Sequence, residues 1–165
     1  MASVLNNNAV KDIIRCPSTD EDEPFLRSVY DTTRADEMAL VPWNDAEKRA
    51  FLDMQFHAQH TYYHAQFPNA KYDLLVRNGE QIGRLYTDKR ETELRILDIA
   101  ILPEFRNQGV GTGLIQGLMA EAQEAGIDLT LHVETFNPAR RLYERLNFGE
   151  TQVDGIYILM TWNGL

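Results

Sequence analysis

The sequence predicts an α/β domain with one central mixed sheet of about six to seven strands flanked by about four helices, on three observations. Apolar, β-branched runs alternate with amphipathic helical patterns along the chain. Hairpin signals, Asn78-Gly79 and Asp154-Gly155, lie on both sides of the middle of the sequence, so some neighbouring strands must be antiparallel. Between them, the strand Ile99-Ala100-Ile101-Leu102 runs through a glycine-bearing loop into a helix, the unit that makes parallel pairing.

Taken in order, residues 1–8 are polar, with Asn6-Asn7-Asn8, and are expected to be a flexible terminus; residues 9–165 form the domain. A first strand is expected over 9–15, broken at Pro17. Asp20, Glu21, Asp22 and Glu23 then complement the positive end of a helix reaching about residue 33. Residues 37–43 read as a loop. Asn44, with Glu47 three residues on, caps a long helix to about residue 63, in which Phe51, Met54, Gln55, Ala58, Gln59 and Tyr62 recur at helical steps. Strands follow over 72–77, 81–86 and 93–101. From Leu114 a helix buries Leu118, Met119 and Ala122 and ends at Gly126. A strand over 128–134, a helix over 139–146 capped by Asn137-Pro138, and a hairpin over 150–162 complete the chain.

Composition narrows the partners. A formal charge of -9 lacks the basic footprint that nucleic acid or an anionic membrane requires. The single cysteine, Cys16, suits a reducing cytoplasm, and neither a signal peptide nor a membrane span is read from the apolar pattern. His57, His60 and His64 stand at i, i+3 and i, i+4 spacings, but no H-E-x-x-H pattern or nearby acid accompanies them, so no metal is expected.

The chemistry concentrates in Arg106-Asn107-Gln108-Gly109-Val110-Gly111-Thr112-Gly113. Gly109 and Gly111 let the backbone amides converge where the following helix presents its own unpaired N–H groups, a cup for an anion and most often a phosphate. A P-loop is excluded, because no lysine follows Gly111. A dinucleotide fingerprint starting at Gly109 would need glycine where Leu114 stands, although Glu134 falls near the place of a ribose-binding acid. A simple strand-to-helix turn would account for one glycine better than for three with a basic residue.

Arg106-x-x-Gly109-x-Gly111 fits R/Q-x-x-G-x-G/A, and here the sequence resembles the GNAT superfamily of acyl-CoA-dependent N-acetyltransferases. Asn137 to Phe148, with Tyr143 inside a helix, is similar to that family's second signature; it departs in ending Asn147-Phe148 and in a shorter Asn137-to-Tyr143 interval. The resemblance implies a splayed sheet and acetyl-CoA as acyl donor. It implies that the amides of Gln108, Gly109, Val110, Gly111 and Thr112 hold the pyrophosphate, Arg106 offsets its charge, and Ile99 and Ile101 pair with the pantetheine; Asn137 belongs to the same cofactor set. Tyr143 would be the general acid toward the leaving sulfur. The family's glutamate position holds Arg95, which leaves Glu93 and His132 as candidate bases, with Asp98 and Glu134 behind them. The helices that wall the acceptor bring in Trp43, Gln55, Phe56, Gln59 and Tyr62, facing a small-molecule amine or a peptide. A non-catalytic acyl-CoA-binding module is the alternative reading, and the edge of the last hairpin could pair two subunits.

Overall fold

The computed structural model describes residues 10–164; the expected flexible terminus over 1–8 lies outside the described residues. Strands β1 (Ile13–Pro17), β2 (Lys71–Arg77), β3 (Glu80–Lys89), β4 (Glu93–Ile101), β5 (Asp128–Glu134), β6 (Gly149–Asp154) and β7 (Tyr157–Trp162) form one sheet in the order β1-β2-β3-β4-β5-β7-β6. Every neighbouring pair is antiparallel except β4 and β5, which are parallel. Helices α1 (Glu23–Thr33), α2 (Ala35–Leu40), α3 (Asp45–Gln66), α4 (Val110–Ala125) and α5 (Arg140–Arg145) supply the covering layers.

Period-two alternation along the strands sorts side chains between the two layers. Leu75, Ile82 and Leu85 join Val110, Ile115, Leu118 and Ala122 of α4 in one core, continued by Leu129, Leu131 and Met160. Their neighbours in sequence, Leu74 and Tyr86, point to the opposite face and meet Leu26, Tyr30, Met38, Leu52 and Phe56 of α1–α3. Asn44 caps α3 as its sequence indicates, Oδ1 accepting from the Glu47 amide at 2.8 Å while Nδ2 donates to Glu47 Oε1 at 2.8 Å. Gly83 has a packing reason: a Cβ there would stand 2.3 Å from the Ala100 carbonyl oxygen on the adjacent strand.

The structure corrects several boundaries. β1 begins at Ile13 rather than residue 9 and includes Pro17, which an edge strand tolerates because the missing N–H costs no ladder bond on its open side. Part of the expected loop over 37–43 is helix α2, whose first turn carries Asp36 and Glu37 and whose Met38 enters the core. α3 extends to Gln66 and α5 spans only Arg140–Arg145. Gly117 of α4 is exposed, with nothing near its Cβ position.

One irregularity positions the site. In the β3–β4 ladder Tyr86 pairs with Asp98 but Thr87 with Ile96, so Leu97 is an extra residue, a β-bulge in β4. A bulge bends its strand and raises the local twist. Pairing between β4 and β5 runs only from Glu93↔Asp128 to Ile96↔Leu131, stopping one residue before the bulge. Beyond it the two parallel strands part and leave a wedge.

Candidate active site

The backbone of β4 beyond the bulge has one free edge. Leu102 N–H donates to the Ile82 carbonyl of β3 at 2.9 Å, so by strand alternation the amides and carbonyls of Ile101 and Ile99 face the wedge instead. The wedge leads to the glycine loop. Asn107 and Gly109 adopt positive φ, 61° and 81°, which turns the chain onto the start of α4. The first α4 bond is donated by Gly113 to the Gly109 carbonyl at 3.0 Å, so the Val110, Gly111 and Thr112 amides project from the helix end, and no side chain caps them. Seen from Gly111, an added Cβ would meet only Ile101 Cδ1, at 3.8 Å. Packing therefore does not demand glycine there. Gln108 turns its side chain to the Glu104 carbonyl at 3.0 Å. Arg106 folds back, Nε donating to the Ile101 carbonyl at 2.8 Å and Nη2 to Thr32 Oγ1 at 3.3 Å, so it bridges loop, strand end and α1.

A cavity of about 940 Å³ fills the wedge between α1–α3 and the β5–β7–β6 half of the sheet. It gathers Tyr143, His132, Ile99 and Asn137 with Gln59 and Tyr62 from the predicted set. Tyr143 is buried against Phe148, ring centroids 5.7 Å apart. Burial, with the nearby Asp98 charge, pushes its phenol up to about 12, so it stays protonated at neutral pH. Asn137 also has a local duty: Oδ1 accepts from the Ala139 amide at 2.9 Å and fixes the entry to α5.

Three predicted acceptor residues stand apart from the cavity. Phe56 is 1 % exposed, wedged edge-on against Tyr30 with the Arg27 guanidinium 4.9 Å from its ring centre. Trp43 packs on Phe51, and Gln55 lies on α3 outside the lining. Only side chains in the last two turns of α3, from Gln59 on, reach the wedge, and the helical stripe by itself does not say where the sheet ends beneath it. His60 and His64 are likewise absorbed by rings: His60 stacks on Phe56 and His64 on Tyr72. No group of three or more potential metal ligands is found among the described residues.

Glu93 is fully engaged and lies outside the cavity lining. It accepts from Arg95 Nη2 at 3.0 Å, from Arg90 Nη1 at 2.9 Å, and from the Thr130 hydroxyl. Although burial raises its pKa, those bonds outweigh it and hold the carboxyl below its ordinary range, which suits a permanent anion better than a base. His132 lines the cavity and meets Arg95, Nη1 standing 3.1 Å from its Nδ1. Burial and then the Arg95 charge hold the imidazole below its ordinary range.

The cavity floor joins Asp98 and Gln59 of the expected set to a residue outside it, Arg84. Arg84, 2 % exposed, donates from Nε to Asp98 Oδ2 at 2.5 Å and from Nη2 to Gln59 Oε1 at 3.0 Å, with its guanidinium 5.0 Å from the Tyr86 ring centre. Tyr63 donates its hydroxyl proton to the carbonyl of the bulged Leu97 at 3.2 Å. A charged residue amid the apolar run of β3 was the available signal, since an unpaired arginine cannot be buried there.

A parallel strand pair that splays at a bulge, a free backbone edge beside it, and a helix N-terminus reached through positive-φ residues define a protein built to hold an extended ligand ending in an anionic group. The acetyltransferase (GNAT) family model matches residues 26–148, and the chain belongs to that family. It is 34% identical over 80 residues to the [ribosomal protein bS18]-alanine N-acetyltransferase of Haemophilus influenzae, and 32% over 81 residues to that of Escherichia coli. These alignments cover 48% of this chain and 55% of each relative, so the chain spans about half the length of the curated relatives it matches. Among solved structures it is similar to an acetyltransferase from Thermus thermophilus (TM-score 0.67, 18% identity, 93% and 97% of the two chains). It is also similar to the E. coli ribosomal-protein-S18-alanine N-acetyltransferase (TM-score 0.60, 24% identity, 90% and 92%), likenesses of fold.

Proposed function

We propose that the protein is an acetyl-CoA-dependent N-acetyltransferase acting on a polypeptide α-amine, in a reducing cytoplasmic setting. The observation that carries this reading is the layout of β4: past the bulge the backbone of Ile99 faces away from β3 beside the Tyr143 cavity, and the same strand runs on, past an Ile101 carbonyl taken by Arg106, through the loop to the Val110–Thr112 amides. That layout fits a cofactor with a pyrophosphate, an amide-bearing arm and a reactive end. Bound acetyl-CoA supplies a thioester carbonyl for direct attack by the amine.

The chain's residues divide the work. Amides at the start of α4 neutralise phosphate charge with the help of the helix dipole. The edge of β4 aligns the arm as an added strand would. A backbone amide of the splayed β4 segment can stabilise the charge that develops on the carbonyl oxygen. The amine attacks in its neutral form, its ammonium proton released to solvent; Tyr143, kept protonated, would give its proton to the leaving sulfur and recover one from the newly acylated nitrogen. On the acceptor side Asp98 and Glu37 are paired with Arg84 and Arg34, which leaves Glu134 and Asp154 of the lining to attract a cationic amine. The relatives named for acetylating a ribosomal protein's alanine support a polypeptide acceptor.

The test is a melting curve with acetyl-CoA followed by an acetylation assay on short peptides. A ligand at 100 times its Kd adds about 2.7 kcal/mol, several degrees for a domain of this size. A shift together with turnover supports the reading. A shift without turnover on any peptide or small amine instead favours a non-catalytic acyl-CoA-binding module.

A further inference from the structure

His132 and Arg95 stand on neighbouring parallel strands at the edge of the cavity, with Arg95 directly opposite Thr130 and His132 two residues further along. Arg95 is gripped from behind: its Nε donates to Thr130 Oγ1 at 2.7 Å and its Nη2 to Glu93 Oε2 at 3.0 Å. Glu93 is itself pinned by Arg90 and Thr130. That leaves Nη1, 3.1 Å from His132 Nδ1. A guanidinium has five donors and no acceptor, so Nδ1 must be the acceptor in this contact. The ring is then neutral, and its one proton sits on Nε2.

We propose that Arg95 is a positioning residue that fixes His132 as a hydrogen-bond donor, so that His132 Nε2–H binds a carbonyl oxygen of a peptide acceptor instead of taking a proton from its amine. The acceptor half of this inference rests on the acetyltransferase reading; the Arg95–His132 half does not. A ring whose only lone pair is engaged by a cation has none to offer an ammonium, whereas its N–H is left to donate, on a residue that lines the cavity. Recognition of the acceptor's carbonyl distinguishes a peptide terminus from a simple alkylamine. The surroundings of the ring agree with the assignment: burial first, then the Arg95 and Arg90 charges, oppose an imidazolium, against Glu93 and Asp154, which favour it. Glu134 on the same strand and Tyr157 of β7 complete the ionisable surroundings on the cavity side.

Nitrogen-15 NMR of the ring reads the lock directly in the whole protein without substrate. The expected spectrum has His132 protonated at Nε2 across pH 6 to 8, and Arg95→Met moves its titration upward toward the ordinary value near 6.5. A proton on Nδ1 in the wild-type protein would overturn the lock, whatever the protein acetylates, and this readout needs no folded variant. Kinetics read the donor role. His132→Phe should raise the peptide KM about tenfold with a smaller change in kcat, and His132→Gln, which keeps an N–H donor, should recover most of that loss. If both variants instead turned over about a hundredfold more slowly or worse at saturating peptide, the signature of a lost base, the donor role would be overturned. Were no peptide acetylated at all, the acetyltransferase reading would fall and the spectrum would still judge Arg95.

Discussion

Arg84 Nε and Asp98 Oδ2 lie 2.5 Å apart under the cavity floor, and the two partners are unequally buried, 2% and 23% exposed at the side chain. Losing one partner of a buried pair costs about 3–5 kcal/mol when the survivor is a charge shut away from water. Asp98→Asn strands the more deeply buried guanidinium and should cost about that much. Arg84→Met leaves a carboxylate that can still reach water and should cost less. Urea denaturation of both variants checks the order.

Gly111 tests the phosphate cup apart from the fold. Gly111→Ala introduces a methyl that meets only Ile101 Cδ1 at ordinary contact distance, so the melting temperature should stay level or rise slightly. The stabilisation by acetyl-CoA should shrink sharply. A variant that melts early would show that the glycine serves packing instead.

Two other glycines should respond in opposite directions. Gly117, exposed in the middle of α4 with nothing near its Cβ position, should gain about 1 kcal/mol on change to alanine. Gly83→Ala drives a methyl into the Ala100 carbonyl and must part β3 from β4, so a lower melting temperature and a weakened acetyl-CoA response are expected together.

Tyr143→Phe keeps the ring against Phe148 and removes one hydroxyl. The melting temperature should barely change while kcat falls about a hundredfold. An unchanged kcat removes Tyr143 from the chemistry.

Stability should fall on acidification in two stages. His132 and His60 are both held below the ordinary imidazole range, so the unfolded chain takes up more protons than the native one as pH drops below about 6.5. Glu93, held below its usual 4.5, retains its contribution above that value and loses it as pH falls through its depressed native pKa. Urea midpoints at pH 8 and 6 measure the first stage and a series from about pH 5 to about pH 3 the second, and His132→Gln should flatten the first.

Much of the fold and the cofactor side could be read from local chemistry. The Asn78-Gly79 turn, the Asn44–Glu47 cap and the Gly126 stop act over a few residues, and each appears where the sequence placed it. The turn onto α4 at Gly109 is legible for the same reason. The acceptor side was not: whether Phe56 or Gln59 faces the wedge depends on where α3 crosses the sheet, and the Arg84–Asp98 pair joins residues whose register is set by a bulge at Leu97. Arg95 was noticed only as a departure, because its meaning lies in what Thr130 and Glu93 do to it across the sheet.

The parallel seam of four residue pairs gives the sheet a ladder with rungs missing above Ile96 and Leu131. The Ile99 amide points into that gap, so it should exchange with solvent rapidly in the free protein and slow once a partner supplies the rung. In the proposed binding mode a cofactor seated there would be a temporary strand of the sheet. Its arrival completes the architecture as well as bringing the acyl group, and the two halves of the molecule should stiffen toward each other only while the donor is bound.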